Sequence, residues 1–417
     1  MKIIADLHIH SKYSRATSKN ISIANLVEYA KMKGLGLLGT GDFTHPLWLK
    51  ELKETLNEDG SGIPKYGNGF PFVLSSEISS IYSQGGEVKR VHNVVLAPGF
   101  EVAEQINDAL SGKGVKLASD GRPICGISCP ELVDLIKCVS SEAEIIPAHI
   151  WTPWFSLFGS KSGFDRIEDC YGDQTKHIHA LETGLSSDPR MNWRLSQLDK
   201  YSLVSFSDSH SFWPWRIGRE ATIFDLKNAD YNGIIKALRT KDGLEGTIEV
   251  NPSYGKYHFD GHRDCKVSMV PAEAKRHNNI CPVCRRPLTL GVLHRVEDLA
   301  DREEGFVPEG AKKFHSLLPL SEMIAYVMGV QTFSGRVWEE YKKLTNAFGS
   351  EFNVLLDASP EELNNITTEK IANLVMETRG GNVNIEAGFD GVYGKISDDG
   401  KLLKAKPAGP QKTLGDF

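Results

Sequence analysis

The stretch that decides the fold is Lys2-Ile3-Ile4-Ala5-Asp6-Leu7-His8-Ile9-His10, followed directly by Ser11-Lys12-Tyr13-Ser14. Its alternation predicts a β-strand on which Asp6, His8 and His10 share one face. Polar groups on one side of an apolar strand are costly to bury unless something satisfies them. Imidazoles beside a carboxylate suit zinc, manganese or iron, so a metal ion is the expected partner. From this stretch alone, two ordinary core histidines remain an alternative.

Short hydrophobic runs elsewhere in the chain end in the same residue types. These run ends carry Asp42, Glu77, His92, His149, Glu182, and Asp208 with His210. In a parallel α/β barrel the carboxyl ends of the strands meet on one face, where catalytic residues lie. We therefore expect these side chains to gather at a single site.

This ordered set resembles the polymerase and histidinol phosphatase (PHP) superfamily of metal-dependent phosphoesterases. The matching residues are His8, His10, Asp42, Glu77, His92, His149, Asp208 and His210. The resemblance covers roughly residues 1–250 and implies an α/β fold, a distorted (β/α)7 PHP-type barrel. It also implies divalent metals in the barrel, zinc, manganese or magnesium.

The chain departs from the family pattern at two motifs. The family often has a histidine shortly after the first motif, where this chain has Ser14 and Arg15, and a histidine beside the aspartate of the second motif, where Phe43 follows Asp42. His45 is the alternative ligand for the third metal position.

Length and composition indicate a globular protein of two or three domains, since the chain has 417 residues, 40% hydrophobic and 24% charged. No run approaches the roughly 20 apolar residues of a membrane helix, and Met1-Lys2 leads straight into a strand, so a cytoplasmic protein is expected. Seven cysteines, an odd number with three at ligand spacing, favour reduced thiols over disulfides. The net charge of −6 does not by itself indicate nucleic-acid binding, although it omits bound metal ions.

Aromatic residues follow the candidate ligands on several loops. The predicted substrate-binding residues are Trp151, Trp154, Arg190, Asn192, Trp193, Phe212 and Trp213. Aromatic rings beside a hydrolytic site can stack on bases, and arginines can neutralise a phosphate. A hydrophobic lid or plain core is the alternative.

Asn251-Pro252 marks the end of the barrel, and residues 251–305 are predicted to form a zinc-binding module. His262-x-x-Cys265 and Cys281-Pro-Val-Cys284 are two chelating pairs separated by fifteen residues. Zinc favours four such nitrogen and sulfur ligands, so we expect a structural zinc, with His258 as the alternative fourth ligand and His294 a weaker one. Basic residues around the module suit a phosphate backbone, with a solvated surface as the alternative. These are Lys275, Arg276, Arg285, Arg286 and Arg295.

Helical spacing and helix-start residues predict a helical domain over residues 306–404. Residues 405–417 read as a flexible tail, because a Pro/Gly-rich composition cannot build a core. Gln411, Leu414 and Phe417 resemble the peptide that binds the sliding clamp PCNA; a frayed tail is the alternative.

Taken over nearly its whole length, this arrangement resembles the endonuclease Q family of PHP-type repair nucleases. The resemblance implies binding of damaged DNA and cleavage on the 5′ side of deaminated bases (uracil, hypoxanthine, xanthine) and of abasic sites. The expected catalytic residues are Asp208, Glu77, His8 and His10, which act by metal-assisted hydrolysis. A small-molecule phosphatase of the histidinol-phosphatase type and a DNA-binding scaffold with a vestigial barrel remain alternatives.

Overall fold

The computed structural model describes residues 1–397, which form a mixed α/β architecture. The strands are β1 (Lys2–Asp6), β2 (Leu37–Gly39), β3 (Leu56–Asn57), β4 (Lys65–Tyr66), β5 (Phe70–Gln84), β6 (Glu87–Ala97), β7 (Ile124–Cys125), β8 (Glu144–Pro147), β9 (Ala180–Glu182), β10 (Ser202–Val204), β11 (Ala221–Asp225), β12 (Leu244–Glu249), β13 (Asp260–His262), β14 (Val267–Met269), β15 (Lys313–Ser316), β16 (Ile385–Glu386) and β17 (Lys395–Ile396). The α-helices are α1 (Ile23–Lys33), α2 (Pro46–Thr55), α3 (Phe100–Gly112), α4 (Cys129–Val139), α5 (Ile167–Tyr171), α6 (Pro189–Asn192), α7 (Tyr231–Thr240), α8 (Pro271–Arg276), α9 (Val292–Leu299), α10 (Leu320–Met328), α11 (Gly335–Phe348), α12 (Pro360–Ile366) and α13 (Glu369–Arg379).

The main sheet is mixed. β1 pairs in parallel with β2 and antiparallel with β11, and β2 pairs in parallel with β5. β5 and β6 form a long antiparallel hairpin around Gly85-Gly86, and β6 pairs antiparallel with β8. β1, α1 and β2 form a βαβ unit with parallel strands. One apolar cluster collects inward-facing strand residues such as Ala5, Leu37, Val73, Val94 and Ile146.

The first strand is shorter than predicted. β1 ends at Asp6, and beyond it only Ile9 makes a single parallel bridge, to Ser209. Asp6 accepts hydrogen bonds from the backbone N–H of Ser207 (3.0 Å), its hydroxyl (2.6 Å) and the N–H of Gly218 (2.8 Å). Burial raises the pKa of Asp6 to about 6. Asp6 therefore binds the segment around Ser207 and Gly218 and does not belong to the group formed by His8 and His10. The reason is that the strand ends at Asp6, so the alternation of side chains does not continue to the histidines.

Helix starts follow the local sequence rules. Ser22 caps α1 by accepting from the N–H of Asn25 (3.2 Å), and Gly34 ends it in the left-handed conformation. Ser359 and Thr368 cap α12 and α13, as their positions before Pro360 and Glu369 predict. The region after residue 306 is nevertheless not purely helical. β15 pairs in parallel with β12 in the main sheet, and β16 and β17 form a small hairpin.

A buried ion pair links α1 to the C-terminal helices. The ammonium of Lys33 donates to Glu351 Oε1 (2.8 Å) and to the carbonyl of Pro214 (2.9 Å). Glu351 also accepts from the N–H of Leu320 (2.9 Å) and the hydroxyl of Tyr341 (2.7 Å). Both charges are almost completely buried, so each depends on the other for compensation.

Within residues 1–397, no helix combines the length and the apolar character that crossing a bilayer requires. The predicted clamp-binding residues Gln411, Leu414 and Phe417 lie outside the described residues.

Candidate metal centre

Two groups of possible metal ligands meet at one place in the fold. His8, His10, Glu77 and Asp208 form the first, and Glu77, His92 and His149 form the second. His8, His10, His149 and Asp208 follow the ends of β1, β8 and β10, whereas Glu77 and His92 lie within β5 and β6. In each group the ligand atoms lie within 4.8 Å of one another. The sequence pointed to all six of these residues, and the fold brings them together. The sequence predicts Glu77 and His92 at strand ends, but the structure has them within β5 and β6, because the hairpin continues well past both residues.

Glu77 is common to both groups, and its two oxygens face different neighbours. Oε1 lies 2.5 Å from His92 Nδ1 and 3.1 Å from His149 Nε2. Oε2 lies 3.2 Å from His10 Nε2. Because each oxygen of Glu77 faces a different ligand group, this carboxylate could contact an ion in both groups.

His8 provides the test of whether a metal fits. Its Nε2 is buried and has no hydrogen-bond partner among residues 1–397, yet it lies 3.7 Å from Glu77 Oε2 and 3.6 Å from Asp208 Oδ1. These distances are too long for hydrogen bonds. Ligand atoms around one tetrahedral zinc are about 3.4 Å apart, given bonds of about 2.1 Å. The donor set and its spacing therefore fit a divalent ion.

The strand ends turn sharply at the site. Asp42, His149 and Asp208 have positive φ angles of 47°, 31° and 47°. Such conformations are strained for residues other than glycine and occur often at functional sites. Here the turn aims each side chain away from its strand and toward the centre.

Glu182 is a site residue whose role the sequence did not assign, although it was recognised as a strand end. Both of its oxygens lie 3.0 Å from His8 Nδ1, and Oε2 accepts from the backbone N–H of His149 (2.8 Å). A carboxylate behind a histidine fixes which ring nitrogen faces the metal.

Asp42 takes the same position behind His10. Its Oδ1 is 3.0 Å from His10 Nδ1, while Oδ2 accepts from the N–H (2.7 Å) and hydroxyl (2.6 Å) of Ser11 and from Ser14 (2.8 Å). Its oxygens are thus engaged by protein donors. Asp42 belongs to neither ligand group, and this arrangement favours a role in supporting His10 over the predicted role as a direct ligand.

Two further predicted ligands lie beside the groups without belonging to them. His45, the alternative ligand, stacks on Tyr13 with ring centroids 4.4 Å apart. His210 lies 4.6 Å from the His10 ring, but its Nδ1 is 3.0 Å from the backbone oxygen of Asp208.

The electrostatics of the site are dominated by Glu77. Burial opposes its charge, but the surrounding basic groups His92, Arg122, His8 and His10 together outweigh burial and hold the pKa of Glu77 well below its usual value. Burial also lowers the pKa of His8, and the carboxylates of Glu182 and Glu77 more than reverse this. For His92 burial prevails and lowers the pKa to about 4, which keeps the imidazole neutral, as a ligand must be.

Arg122 is a residue that the sequence analysis missed. Its Nη1 donates to Glu77 Oε2 (3.0 Å), and its side chain is 27% exposed, so it reaches both the centre and the solvent. Two hydrogen bonds of the preceding residue hold the loop of Arg122 in place. The N–H of Gly121 donates to the carbonyl of Tyr13 (3.1 Å), and the hydroxyl of Thr44 donates to the carbonyl of Gly121 (3.1 Å). No strand precedes Arg122 directly, so the strand-end pattern gave no sign of it.

The predicted substrate-binding residues divide by burial. Trp151 is 1% exposed and donates through its indole to Asn192 Oδ1 (2.8 Å), and Phe212 is packed against Tyr29 and Trp213. These three side chains, including the fully buried Asn192, present no face to a nucleobase, which corrects the expectation for them.

Other members of that set are partly exposed. Trp154 lies edge-on to Tyr257 (5.6 Å), Trp193 edge-on to Phe314 (5.9 Å), and Trp213 is stacked on Trp215 (5.0 Å). Arg190 is exposed and lies over the ring of Phe314, 5.1 Å from its centroid. These side chains keep surface available for a ligand.

A separate group lies in the predicted zinc module. His262, Cys265, Cys281 and Cys284 offer ligand atoms within 4.8 Å of one another, and His262 Nδ1 is 3.6 Å from Cys284 Sγ. Of the alternatives, His294 binds Asp260 (2.6 Å), and neither it nor His258 belongs to the group.

Comparisons with known proteins extend over nearly the whole chain. A family model described as the MJ0043 C-terminal domain matches residues 319–382. The uncharacterized protein YqxK of Bacillus subtilis is 31% identical over 415 residues, covering 95% of this chain and 99% of that protein. The uncharacterized protein MJ0043 of Methanocaldococcus jannaschii is 35% identical over 258 residues, covering 59% of this chain and 31% of that protein.

Two crystal structures match at a TM-score of 0.86 and 31% identity. One is the lesion-specific endonuclease PfuEndoQ from Pyrococcus furiosus, with 98% of both chains covered. The other is endonuclease Q in complex with a 27-mer duplex substrate that has an abasic lesion at the active site, with 98% and 99% covered. Because sequence and fold agree over nearly the whole chain, it belongs to the endonuclease Q family.

Proposed function

We propose that this protein is a DNA repair endonuclease that hydrolyses the phosphodiester on the 5′ side of deaminated bases (uracil, hypoxanthine, xanthine) and of abasic sites. The observation that carries the proposal is the convergence of His8, His10, Glu77 and Asp208 around a buried imidazole nitrogen, His8 Nε2, that has no hydrogen-bond partner among residues 1–397. The DNA complex of the related endonuclease, with an abasic lesion at its active site, supports the choice of substrate.

Each residue has a distinct part in the proposed reaction. Divalent ions at the centre would lower the pKa of a water and stabilise charge on the phosphorus centre. His8, His10, Asp208, His92 and His149 would hold them, with Glu77 between the two groups. Glu182 and Asp42 fix the rings of His8 and His10. Arg122 offers a guanidinium to the non-bridging oxygens of the phosphate.

We place this centre on a distorted seven-stranded barrel. The pairings from β1 through β2, β5, β6 and β8 continue by the bridge Ile145–Ile178 toward β9, which pairs with β10. The bridge Ile9–Ser209 returns the chain after β10 to β1. This order supports closure, and the carboxyl ends of such strands are where catalytic groups lie.

The damaged nucleotide is proposed to leave the duplex and bind between partly exposed aromatic side chains. Trp154, Trp193 and Trp213 are the candidates, with Arg190 available to a phosphate. Extrusion costs a few kcal/mol and is easiest for a mispaired or missing base, which favours lesions over normal DNA.

We also propose a structural zinc held by His262, Cys265, Cys281 and Cys284, because their number, type and spacing match tetrahedral coordination. Its basic surroundings would contact the DNA backbone. The clamp PCNA remains the proposed partner of Gln411, Leu414 and Phe417.

The test uses labelled duplexes that carry one uracil, one hypoxanthine, one abasic site or no lesion, incubated with manganese. We expect a single cut 5′ to each lesion and none in the control duplex. Asp208→Asn should abolish cleavage while DNA binding remains measurable, because it removes a negative ligand without removing the surface. Release of phosphate from a phosphomonoester with no cleavage of any duplex would overturn the proposal.

A further inference from the structure

Arg219 lies close to the metal centre without an acidic partner. Its Nε and Nη2 both donate to the backbone oxygen of Ser207 (3.4 and 3.2 Å). Among residues 1–397, no carboxylate lies within ion-pair distance of its guanidinium. A guanidinium has five N–H donors, so most of this one's capacity is unused.

The surroundings of Arg219 carry excess positive charge. Arg216 lies three residues earlier, with Nη1 3.8 Å from Glu322 Oε1. Glu322 Oε2 is already bound by the hydroxyl of Tyr254 (2.6 Å). Glu322 is thus occupied by Arg216 and Tyr254 and forms no ion pair with Arg219. Burial lowers the pKa of Arg219, and the positive charge of Arg216 lowers it further. Both effects disfavour the charged form of Arg219.

The position of Arg219 relates it to the reaction. Its acceptor, Ser207, directly precedes the candidate ligand Asp208. The Asp208 carboxylate acts electrostatically on Arg219 and on Arg122. Arg122 points into the centre through its bond to Glu77, whereas Arg219 has no bond to any candidate ligand side chain.

Arg219 is only partly exposed, has no carboxylate within ion-pair distance among residues 1–397 and keeps unused N–H donors, so it can bind an anion. The planar fork of a guanidinium suits two oxygens of a phosphate. Beside a centre that hydrolyses a phosphodiester, the anion within reach is another phosphate of the same strand.

We propose that Arg219 binds the DNA phosphate next to the scissile one, while Arg122 faces the scissile phosphate itself. This inference rests on the proposed function. Arg216 adds positive charge to the site but is shared with Glu322. Arg122 and Arg219 together determine which phosphodiester linkage of the strand enters the metal centre.

The test replaces single phosphates by neutral methylphosphonates along the strand that contains one uracil. For the wild type, a methylphosphonate at one linkage adjacent to the cut should lower kcat/KM by about 10- to 100-fold. This is the size expected when one charge-assisted hydrogen bond is lost. Arg219→Ala should show a similar loss on unmodified DNA and no additional loss at that linkage. Arg166→Ala, an exposed arginine paired with Glu168, should keep the wild-type profile.

Two measurements separate the proposed role from simple damage to the loop. Metal content and thermal unfolding of Arg219→Ala report whether Asp208 is still in place. Should Arg219→Ala fail to fold, the methylphosphonate series is repeated with Arg219→Lys, which keeps the positive charge but not the planar guanidinium. This variant should lose part of the wild-type sensitivity to methylphosphonate at the adjacent linkage. A variant as sensitive as the wild type at every linkage overturns the inference and leaves the proposed function intact.

Absence of cleavage by the wild type would instead count against the proposed function. In that case binding to the duplex still decides the inference. Arg219→Ala should reduce the slope of log affinity against log salt by about one. An unchanged slope would refute it.

Discussion

Glu182 holds His8 through Nδ1, with both carboxylate oxygens at 3.0 Å, and so leaves Nε2 of His8 facing Glu77 and Asp208. The imidazole is thereby set in one tautomer and one orientation before any ion arrives.

Replacing Glu182 by Gln should weaken metal binding about 10- to 100-fold, because the amide is a poorer acceptor for the His8 ring. The measurement is the metal content after dialysis against graded chelator. Glu144→Gln is the matched control: Glu144 binds His179 Nδ1 (2.7 Å) away from the centre, so its loss should affect stability and leave the metal content unchanged. Equal metal affinity in wild type and Glu182→Gln would contradict this role.

Arg122→Ala should lower kcat by about 10²- to 10³-fold with a smaller change in KM, since its guanidinium is aimed where charge develops. Metal content should be retained, because Arg122 is not a ligand. Added guanidinium should restore part of the rate in the Ala variant. A variant whose loss lies wholly in KM would show that Arg122 only binds substrate.

Gly121→Ala should destabilise the protein by about 1–3 kcal/mol. The added Cβ would lie 2.2 Å from Asp42 Oδ2 and 2.4 Å from Ser14 Oγ, so the support of His10 must shift. Urea unfolding measures the change. Gly126→Ala is the control, since open space surrounds that position and its effect should be small.

Stability should fall as pH rises through about 7. Burial raises the pKa of Glu220 to about 7, beside the buried Glu249, and Glu220 accepts from the N–H of Val250 (2.7 Å) and from Ser205. The folded state therefore binds a proton that the unfolded chain releases near its ordinary pKa, so the stabilisation is complete at low pH and lost above pH 7. Glu220→Gln should remove most of this dependence, on the order of 2–3 kcal/mol between pH 5 and pH 8. An identical pH slope in the two proteins would exclude Glu220 as its source.

Cys281→Ser should remove one zinc per chain and lower the unfolding temperature, because a zinc site that folds with its ligands contributes directly to stability. Cys138→Ser, at an exposed cysteine outside the group, should change neither quantity. Elemental analysis together with a thermal scan measures both, and a full zinc content in Cys281→Ser would contradict the assigned ligand.

The sequence pointed to most residues of the two candidate ligand groups because ligand-type residues next to short hydrophobic runs are a local pattern. It located His8, Glu77, His92 and His149 without any knowledge of distances. It did not predict that Glu77 and His92 lie inside a long hairpin and not at strand ends. It also could not show that Asp42 supports His10, because this role depends on hydrogen bonds from Ser11 and Ser14 that only the folded turn creates.

Three further features could not be predicted from the sequence: the role of Arg122, the burial of Trp151 and the position of β15. Arg122 lies in a loop with no periodicity, so nothing in the sequence marked it. The burial of Trp151 depends on the distant Asn192, and a tryptophan that stacks on a base looks the same in sequence as one that fills a core. The shared sheet that includes β15 was also missed, because four residues are too few to show a clear alternation.

The ion pair between Lys33 and Glu351 suggests that the catalytic part and the C-terminal helices evolve as one unit. A chain that lost its C-terminal helices would lose the partner of Lys33 and would also expose the apolar side chains of α1 that share one core with Tyr341, Leu344 and Phe352. The catalytic part is therefore poorly suited to recombination as a free-standing gene fragment. Duplication or fusion events that preserve it are expected to carry the C-terminal helices along.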